Sequence, residues 1–160
     1  MSDLTELMNY TYSLCEDGNY SDAIQYFDAI LKKDPINIRI IIDKGVTLAH
    51  LEKLNEAIEC YDMALQLDSS NTDALINKGA ALHSLKNFKG AIKCYDVALR
   101  IDSRLVMALT YKGLALGELS LLEESLWHFE KALTIDSEYD LAINNKKIAL
   151  ELLKAQKNAK

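Results

Sequence analysis

The chain has 160 residues, of which 49% are hydrophobic and 26% charged, the balance of a folded protein that buries a core. A net charge of −6 argues against a non-specific grip on nucleic acid or on an anionic membrane. No apolar run reaches the length of a membrane span, and the start, MSDLTELMNY, lacks the features of a secretion signal. Three widely spaced cysteines do not suggest a disulfide framework, so a cytoplasmic location is expected.

Related segments return at a regular interval along the chain. EAIECYDMALQLDSS (56–70) reappears as GAIKCYDVALRIDSR (90–104) and, more loosely, as ESLWHFEKALTIDSE (124–138). Apolar residues recur at intervals of three and four, which predicts amphipathic helices and no strands. Each repeat is therefore predicted to be two helices of about 14 residues joined by a short turn such as EKLN (52–55) or KNF (86–88).

In chain order, the predicted repeats cover about residues 4–37, 38–71, 72–105 and 106–139. Residues 140–157 follow the period only in part and are predicted to form one closing helix with a polar outer side. Columns of like residues define the register: Gly45, Gly79 and Gly113; Ala64, Ala98 and Ala132; Asp34, Asp68, Asp102 and Asp136; Phe27, Tyr61, Tyr95 and Phe129. The first repeat diverges most, with Thr11 in the glycine column.

These columns resemble the tetratricopeptide repeat, whose pattern W-x2-L-G-x2-Y, A-x3-F and P has a period of about 34 residues. The family's proline survives only at Pro35, being replaced by Ser69, Ser103 and Ser137, and no repeat has its Trp. Asp-Ser can still end one helix and start the next. The resemblance implies a single domain over residues 4–157, an all-α, right-handed α-solenoid, that acts as a protein-interaction module or adaptor and is not an enzyme.

The resemblance also implies a concave groove, lined by the first helix of each hairpin, that holds an extended peptide or a partner helix. Projecting the predicted first helices gives the candidate groove residues. They are Met8, Asn9, Tyr12, Arg39, Ile42, Asp43, Val46, His50, Asp73, Ile76, Asn77, Ala80, His83, Met107, Tyr111 and Leu114, and the closing helix adds Leu141, Asn145 and Ile148. Its apolar members predict a binding patch, unless tight curvature or the closing helix covers them.

A polar column within the groove, Asn9, Asp43, Asn77, Tyr111 and Asn145, suits contact with a peptide backbone, although solvated surface residues would give the same pattern. Some members of the resembled family clamp the acidic tails of heat-shock chaperones with Lys, Arg and Asn. In one register the matching positions hold Met8, Tyr12, Asp43, Asp73 and Asn77, and two Asp would repel a carboxylate. One repeat further on they hold Ile42, Val46, Asn77, Met107 and Tyr111, and neither register supplies a Lys or an Arg. The expected partner is therefore a protein or peptide with an apolar or mildly basic segment, and neither nucleic acid nor a membrane.

Lysine repeats at the same step, at Lys44, Lys78, Lys112 and Lys146. A basic ladder for an acidic ligand is one interpretation. The helical projection favours another, in which each lysine stem packs and each ammonium pairs with an acidic residue. The candidate acids repeat on the second helices at the same step: Asp62, Asp96 and Glu130.

Candidates for chemistry are few. Cys60, Cys94 and His128 share one column, but packed helix axes lie about 8–10 Å apart, too far for one metal ion. Cys15, His50 and His83 come from three different repeats, so no nucleophile–base pair is expected. The sequence predicts no metal, no cofactor and no catalytic residue.

Trp127 occupies a column held elsewhere by the solvent-type residues Gln25, Glu59 and Lys93. Beside Leu121, Leu122 and His128, it would anchor a second partner or a homodimer if exposed, or pack against the closing helix if covered. The alternative function is therefore a self-associating structural protein that uses its terminal repeats or the Trp127 surface.

Overall fold

The computed structural model describes residues 2–158, which form nine α-helices and no strand. Eight of the helices follow one another as helix–turn–helix repeats, as the sequence predicts, and the ninth closes the series. They are α1 (Ser2–Glu16), α2 (Tyr20–Lys33), α3 (Ile38–His50), α4 (Leu54–Leu67), α5 (Thr72–Ser84), α6 (Phe88–Ile101), α7 (Val106–Glu118), α8 (Leu122–Ile135) and α9 (Asp140–Asn158). Within these residues no helix is both long enough and apolar enough to cross a bilayer.

Two compact units make up the chain, an N-terminal half up to Ala81 and a C-terminal half from Leu82 onward. The boundary lies inside α5. Helices α3, α5, α7 and α9 begin at Ile38, Thr72, Val106 and Asp140, so the period of the sequence is also the period of the helices.

The turn inside each repeat contains one residue with positive φ: Gly18 at 78°, Glu52 at 59°, Lys86 at 59° and Ser120 at 61°. In the second repeat the Lys53 N–H donates to the Leu48 carbonyl and the Glu52 N–H to the Ala49 carbonyl, both at 3.0 Å. This pair of bonds is the Schellman motif, which favours glycine at the left-handed residue. The turns come earlier than predicted, because Leu54, Asn55 and Phe88 already belong to the following helices.

The aspartate column ends the second helix of every repeat, as predicted. Asp34, Asp68, Asp102 and Asp136 are the C-cap residues of α2, α4, α6 and α8. In the last three, the Asp carboxylate accepts a hydrogen bond of 2.9–3.1 Å from the N–H two residues later. These bonds form the tight connection to the next helix without the family's proline.

The core of the N-terminal half is built around Phe27 and Tyr61, both almost fully buried. Tyr61 packs with Ile41, Leu48 and other apolar residues of α3 and α4. Gly45 lies against its ring so closely that an added Cβ would be 2.6 Å from Tyr61 Cε1. The glycine column therefore exists because the aromatic column occupies the space of a side chain.

In the C-terminal half, Phe129 is the central buried ring, packed with Leu109 and with alanines of α8 and α9. A Cβ on Gly113 would be 2.7 Å from Phe129 Cε1. Ser125, which stands where the family has alanine, is buried, and its hydroxyl donates to the Gly113 carbonyl at 2.7 Å. The departure is tolerated because the buried hydroxyl has a partner.

The lysine column forms ion pairs, so the structural interpretation is confirmed and the open basic ladder was wrong. Each ammonium contacts an acid on the helix that precedes its own: Lys44 with Asp28 at 2.6 Å, Lys78 with Asp62 at 2.5 Å, Lys112 with Asp96 at 2.6 Å and Lys146 with Glu130 at 3.1 Å. The sequence interpretation missed Asp28, which lies one period before Asp62.

Candidate functional site

A cavity of about 470 Å³ opens between α3 and α5 on the N-terminal half. Four of its six lining residues, Arg39, Ile42, Asp43 and Asp73, were predicted from the sequence, and Ile38 and Asn71 were missed. Asn71 accepts the Ala74 N–H at 2.9 Å, as Asn37 does for Ile40 in the preceding repeat, at 3.2 Å. That repeated N-cap is the signal that would have placed Asn71 at this helix start.

The charge of this cavity is predominantly negative. Asp73 is exposed, and Asp43 is about one third exposed with its Oδ2 3.7 Å from Arg39 Nε. The guanidinium is itself highly exposed, so the contact is weak. Two carboxylates beside one exposed cation favour a positively charged ligand group.

Tyr12 of α1 fixes the Asp43 side chain across 31 residues of sequence. Its hydroxyl donates to Asp43 Oδ2 at 2.6 Å, and the Arg39 guanidinium lies 5.6 Å from the ring centroid. Burial, reinforced by the Asp43 carboxylate, raises the pKa of Tyr12 to about 12. The phenol therefore stays protonated at neutral pH and keeps donating to the carboxylate.

The apolar residues of the predicted groove differ in how open they are. Ile42 is only 8% exposed and Ile76 only 5% exposed, so the expectation that both offer free apolar surface was wrong. Ile42 belongs to the core cluster around Tyr61, which draws it inward. Met8, Val46 and Ala80 are half-buried, and Asn9 is exposed. The isoleucines form the floor of this face rather than its accessible surface.

Of the groove residues predicted on first helices, four belong to the C-terminal half. Met107 is exposed; Tyr111 is half-buried, with its ring 6.0 Å from that of Tyr95. Leu114 lines a cavity of about 270 Å³ among α7, α8 and α9, together with Asn145, Ile148 and Leu152 among others. His83 is half-buried beside Phe88, and its Nε2 has no hydrogen-bond partner among the described residues.

The polar column is only partly available to a ligand. The Asn145 amide donates to the Leu141 carbonyl of its own helix at 2.8 Å, and Asp43 is held by Tyr12. Asn77 and Tyr111 are half-buried. The column thus lies on the predicted faces, but its members do not present five equivalent polar groups.

The histidines and cysteines are engaged in separate local contacts. Exposed His50 stacks on Tyr20 with ring centroids 4.8 Å apart, and Cys15 Sγ lies 3.6 Å from Thr47 Oγ1. Burial raises the pKa of the Cys60 thiol, which disfavours the reactive thiolate. Over residues 2–158, no three His, Cys, Asp or Glu side chains come close enough together to hold a metal ion.

Trp127 is exposed on α8, so the expectation that it packs under the closing helix was wrong. Its side chain is 54% exposed, and the Lys131 ammonium lies 5.0 Å from the ring centroid. The neighbouring His128 is buried instead. Its burial, assisted by the positive charge of Lys112, lowers the pKa of His128 to about 4.

A family model described as "Psidin, N-terminal TPR repeats region" matches residues 8–106, more than half of the chain. The chain belongs to the tetratricopeptide-repeat (TPR) family. A search of curated proteins finds no match.

Solved TPR structures share the fold over most of this chain. A crystal structure of MamA protein is 22% identical, with a TM-score of 0.81, covering 94% of this chain and 83% of its own. A tetratricopeptide repeat protein from Parabacteroides merdae is 22% identical, with a TM-score of 0.83, covering 98% of this chain and 62% of its own. The first TPR of Spaghetti (RPAP3), bound to the HSP90 peptide SRMEEVD, is 25% identical, with a TM-score of 0.71, covering 73% of this chain and 93% of its own.

Proposed function

We propose that this TPR protein is an adaptor that binds an extended or helical peptide segment on its first helices and performs no chemistry of its own. TPR repeats are in general protein-interaction modules, and the related RPAP3 domain was solved with a peptide bound. The proposed partner segment is apolar or mildly basic. A cytoplasmic location is proposed with it, since no disulfide bond joins Cys15, Cys60 or Cys94.

The cavity between α3 and α5 is the observation that carries this proposal. Its floor includes Ile42 and its rim carries the Asp43 and Asp73 carboxylates. A Lys or Arg side chain can lay its methylene stem on such a floor and bring its charge to the rim. The peptide bound by RPAP3 carries three acidic side chains, in its Glu-Glu-Val-Asp end, which these two aspartates would repel.

Calorimetric titration with a small peptide series tests the charge preference. Each heptapeptide keeps two leucines and varies one central residue among Lys, Leu and Glu. We expect affinities near the micromolar range, about −8 kcal/mol, for Lys, weaker binding for Leu and the weakest for Glu. Binding by none of them, or a preference for Glu, would contradict the proposal.

Asp73→Asn tests whether this carboxylate sets the preference. The matched control is Asp22→Asn, which removes an exposed carboxylate from the first turn of α2 with the same change in net charge. We expect the discrimination between Lys and Glu to fall about tenfold in Asp73→Asn and to persist in Asp22→Asn. An equal loss in both would indicate a general charge effect and would remove the cavity from the site.

Self-association is a second candidate function, supported by exposed apolar side chains on the last two helices. Trp127 on α8 and Ile148 and Leu152 on α9 are each about half exposed. Large apolar groups at the end of a repeat array favour contacts between copies. Light scattering over a range of concentrations separates the two functions, because an adaptor gains mass only when peptide is added.

A further inference from the structure

A second cavity, of about 690 Å³, lies on the C-terminal half between α6 and α8. Its charge differs from that of the cavity between α3 and α5, the proposed peptide face. Its apolar floor includes Leu109, which is buried, with Val97 and Leu99 beside it. Its rim carries charged side chains, among them Lys131 of α8, and the indole of Trp127. We call this cavity the outer groove, because α6 and α8 are second helices of their repeats, whereas the proposed peptide face uses first helices.

The outer groove is strongly basic in a chain whose net charge is −6. Four cationic side chains line it, and Asp96 is the one carboxylate among its described lining residues. That carboxylate is already bonded to Lys112 at 2.6 Å. Within residues 2–158, Lys93, Arg100 and Lys131 have no carboxylate partner, so the groove keeps an unneutralised positive charge over an apolar floor.

The indole of Trp127 gives this basic groove an apolar anchor. The ring is 54% exposed and is held by two neighbours, the Lys131 ammonium 5.0 Å from its centroid and the His128 ring 4.7 Å away, edge to face. A fixed aromatic surface beside cationic groups is the composition that dominates protein-binding hot spots.

The repeat supplies an internal comparison, because each position has a counterpart in the N-terminal half two repeats earlier. The counterparts of Lys93, Arg100, Trp127 and Lys131 are Gln25, Lys32, Glu59 and Met63. The general repeat thus requires neither the indole nor the excess of cations. These features are additions to the C-terminal half, and the columns that build the fold do not explain them.

We propose that the outer groove binds an acidic peptide segment of a partner protein, with one apolar or aromatic side chain packed on Trp127. The three cations that lack a carboxylate within the described chain select acidic residues, and the half-buried side chains of Val97 and Leu99 accept the apolar residue. A polyanionic surface such as a membrane or nucleic acid is disfavoured, because a chain of net charge −6 is repelled from it as a whole. A short peptide contacts the groove alone and avoids that repulsion.

Fluorescence of Trp127, the single tryptophan, reports on the groove directly. The probe is the acetylated, amidated peptide Asp-Glu-Phe-Asp-Leu-Glu-Glu, and the control peptide carries Lys at every acidic position. We expect a saturable change in emission with the acidic peptide and none with the lysine peptide. The dissociation constant should rise severalfold between about 50 mM and about 300 mM salt, as screening weakens the exposed charges.

Arg100→Glu locates the binding, and Lys32→Glu is its matched control. Both residues are exposed cations in the last turn of a second helix, so the two variants share the change in net charge and the helix-end effect. We expect Arg100→Glu to raise the dissociation constant of the acidic peptide about tenfold, and Lys32→Glu to change it by no more than about twofold.

Several results would overturn the proposal. The proposal would be refuted if emission did not change at millimolar peptide, or if Arg100→Glu and Lys32→Glu weakened peptide binding equally. Saturable binding of phosphatidylserine vesicles or of a single-stranded oligonucleotide in place of the peptide would also refute it. If emission of the protein alone shifts with its own concentration and Arg100→Glu abolishes that shift, the occupant is a second copy.

Discussion

Gly113→Ala tests the packing principle on which the whole repeat depends. The substitution adds one methyl group in the middle of α7, where an ideal Cβ would meet Phe129 Cε1 at 2.7 Å and Cδ1 at 2.9 Å. Carbon atoms in contact normally stay about 3.5–4.0 Å apart, so either the ring or the helix must move by about 1 Å. The ring is only 2% exposed and packs against Leu109 and alanines of α8 and α9, so a shift of this size disturbs those contacts.

The expected cost follows from overpacking of a dense core. Added methyl groups at such sites destabilise by about 1–3 kcal/mol. Replacing glycine by alanine inside a helix also gains up to about 1 kcal/mol of helix propensity, which hides part of that cost. A single variant would therefore underestimate the steric effect.

Gly117→Ala, in the same helix, separates the two contributions. Its Cβ would meet only Ser125 Oγ, at 3.4 Å, an ordinary contact. The propensity gain applies to both variants, so the difference between them, about 1–3 kcal/mol, measures the collision with Phe129. Urea unfolding followed by circular dichroism should place the Gly113→Ala midpoint about 0.5–1.5 M below that of Gly117→Ala. Equal midpoints, or the reverse order, would refute the assignment of the glycine column to ring contact.

Three further predictions concern the core, the ion pairs and the turns. Because buried His128 has its pKa lowered to about 4, the unfolded chain binds more protons between about pH 6.5 and pH 4, and stability should fall by at most about 3 kcal/mol as the pH drops through that window. His128→Cys, which copies the residue of the two preceding repeats, should flatten the difference in urea midpoint between pH 7 and pH 4.5, whereas loss of exposed His50 should not. Lys78→Met keeps the packed stem and removes the ion pair with Asp62. Thermal unfolding should therefore show a loss of only about 0–1 kcal/mol in the free energy of unfolding. A larger loss would mean that the pair is far less screened than its exposure implies. Lys86→Gly relieves a left-handed residue at φ 59° and should raise the urea midpoint by the equivalent of about 0.5–1 kcal/mol, and a lower midpoint would contradict the turn geometry.

The repeat itself was predictable because its signals are local and recur. The glycine column meets the aromatic column in the second and fourth repeats, where the spacing of Tyr61 from Gly45 is repeated at Phe129 and Gly113. The lysine–acid pairs followed for the same reason: a fixed offset along the chain on two packed helices brings the side chains together wherever it occurs. Such features need no knowledge of the partner.

The candidate site was predicted less well because it depends on depth and on contacts distant in sequence. A helical projection gives the direction of Ile42 and Ile76 but not how closely the neighbouring helix approaches, and both proved to be buried. The bond from Tyr12 to Asp43 joins two repeats and leaves no periodic trace. The left-handed turn residues were hidden for a different reason, since Glu52 and Lys86 are not the glycine that such a conformation usually requires.

Positions that vary from repeat to repeat on a constant backbone are where specificity can change without cost to the fold. Arg39, Asp73 and Met107 occupy one column near the start of a first helix, and all three are exposed, yet they carry positive, negative and no charge. The Trp127 column behaves likewise on the second helices. Because neither column contributes to the core of aromatic rings and glycines, its residues can change to suit a ligand without disturbing the fold. It follows that exchanging a side chain within such a column should alter which peptide binds and leave the unfolding midpoint nearly unchanged. A substitution within the glycine column should instead lower the unfolding midpoint and leave the choice of peptide unchanged.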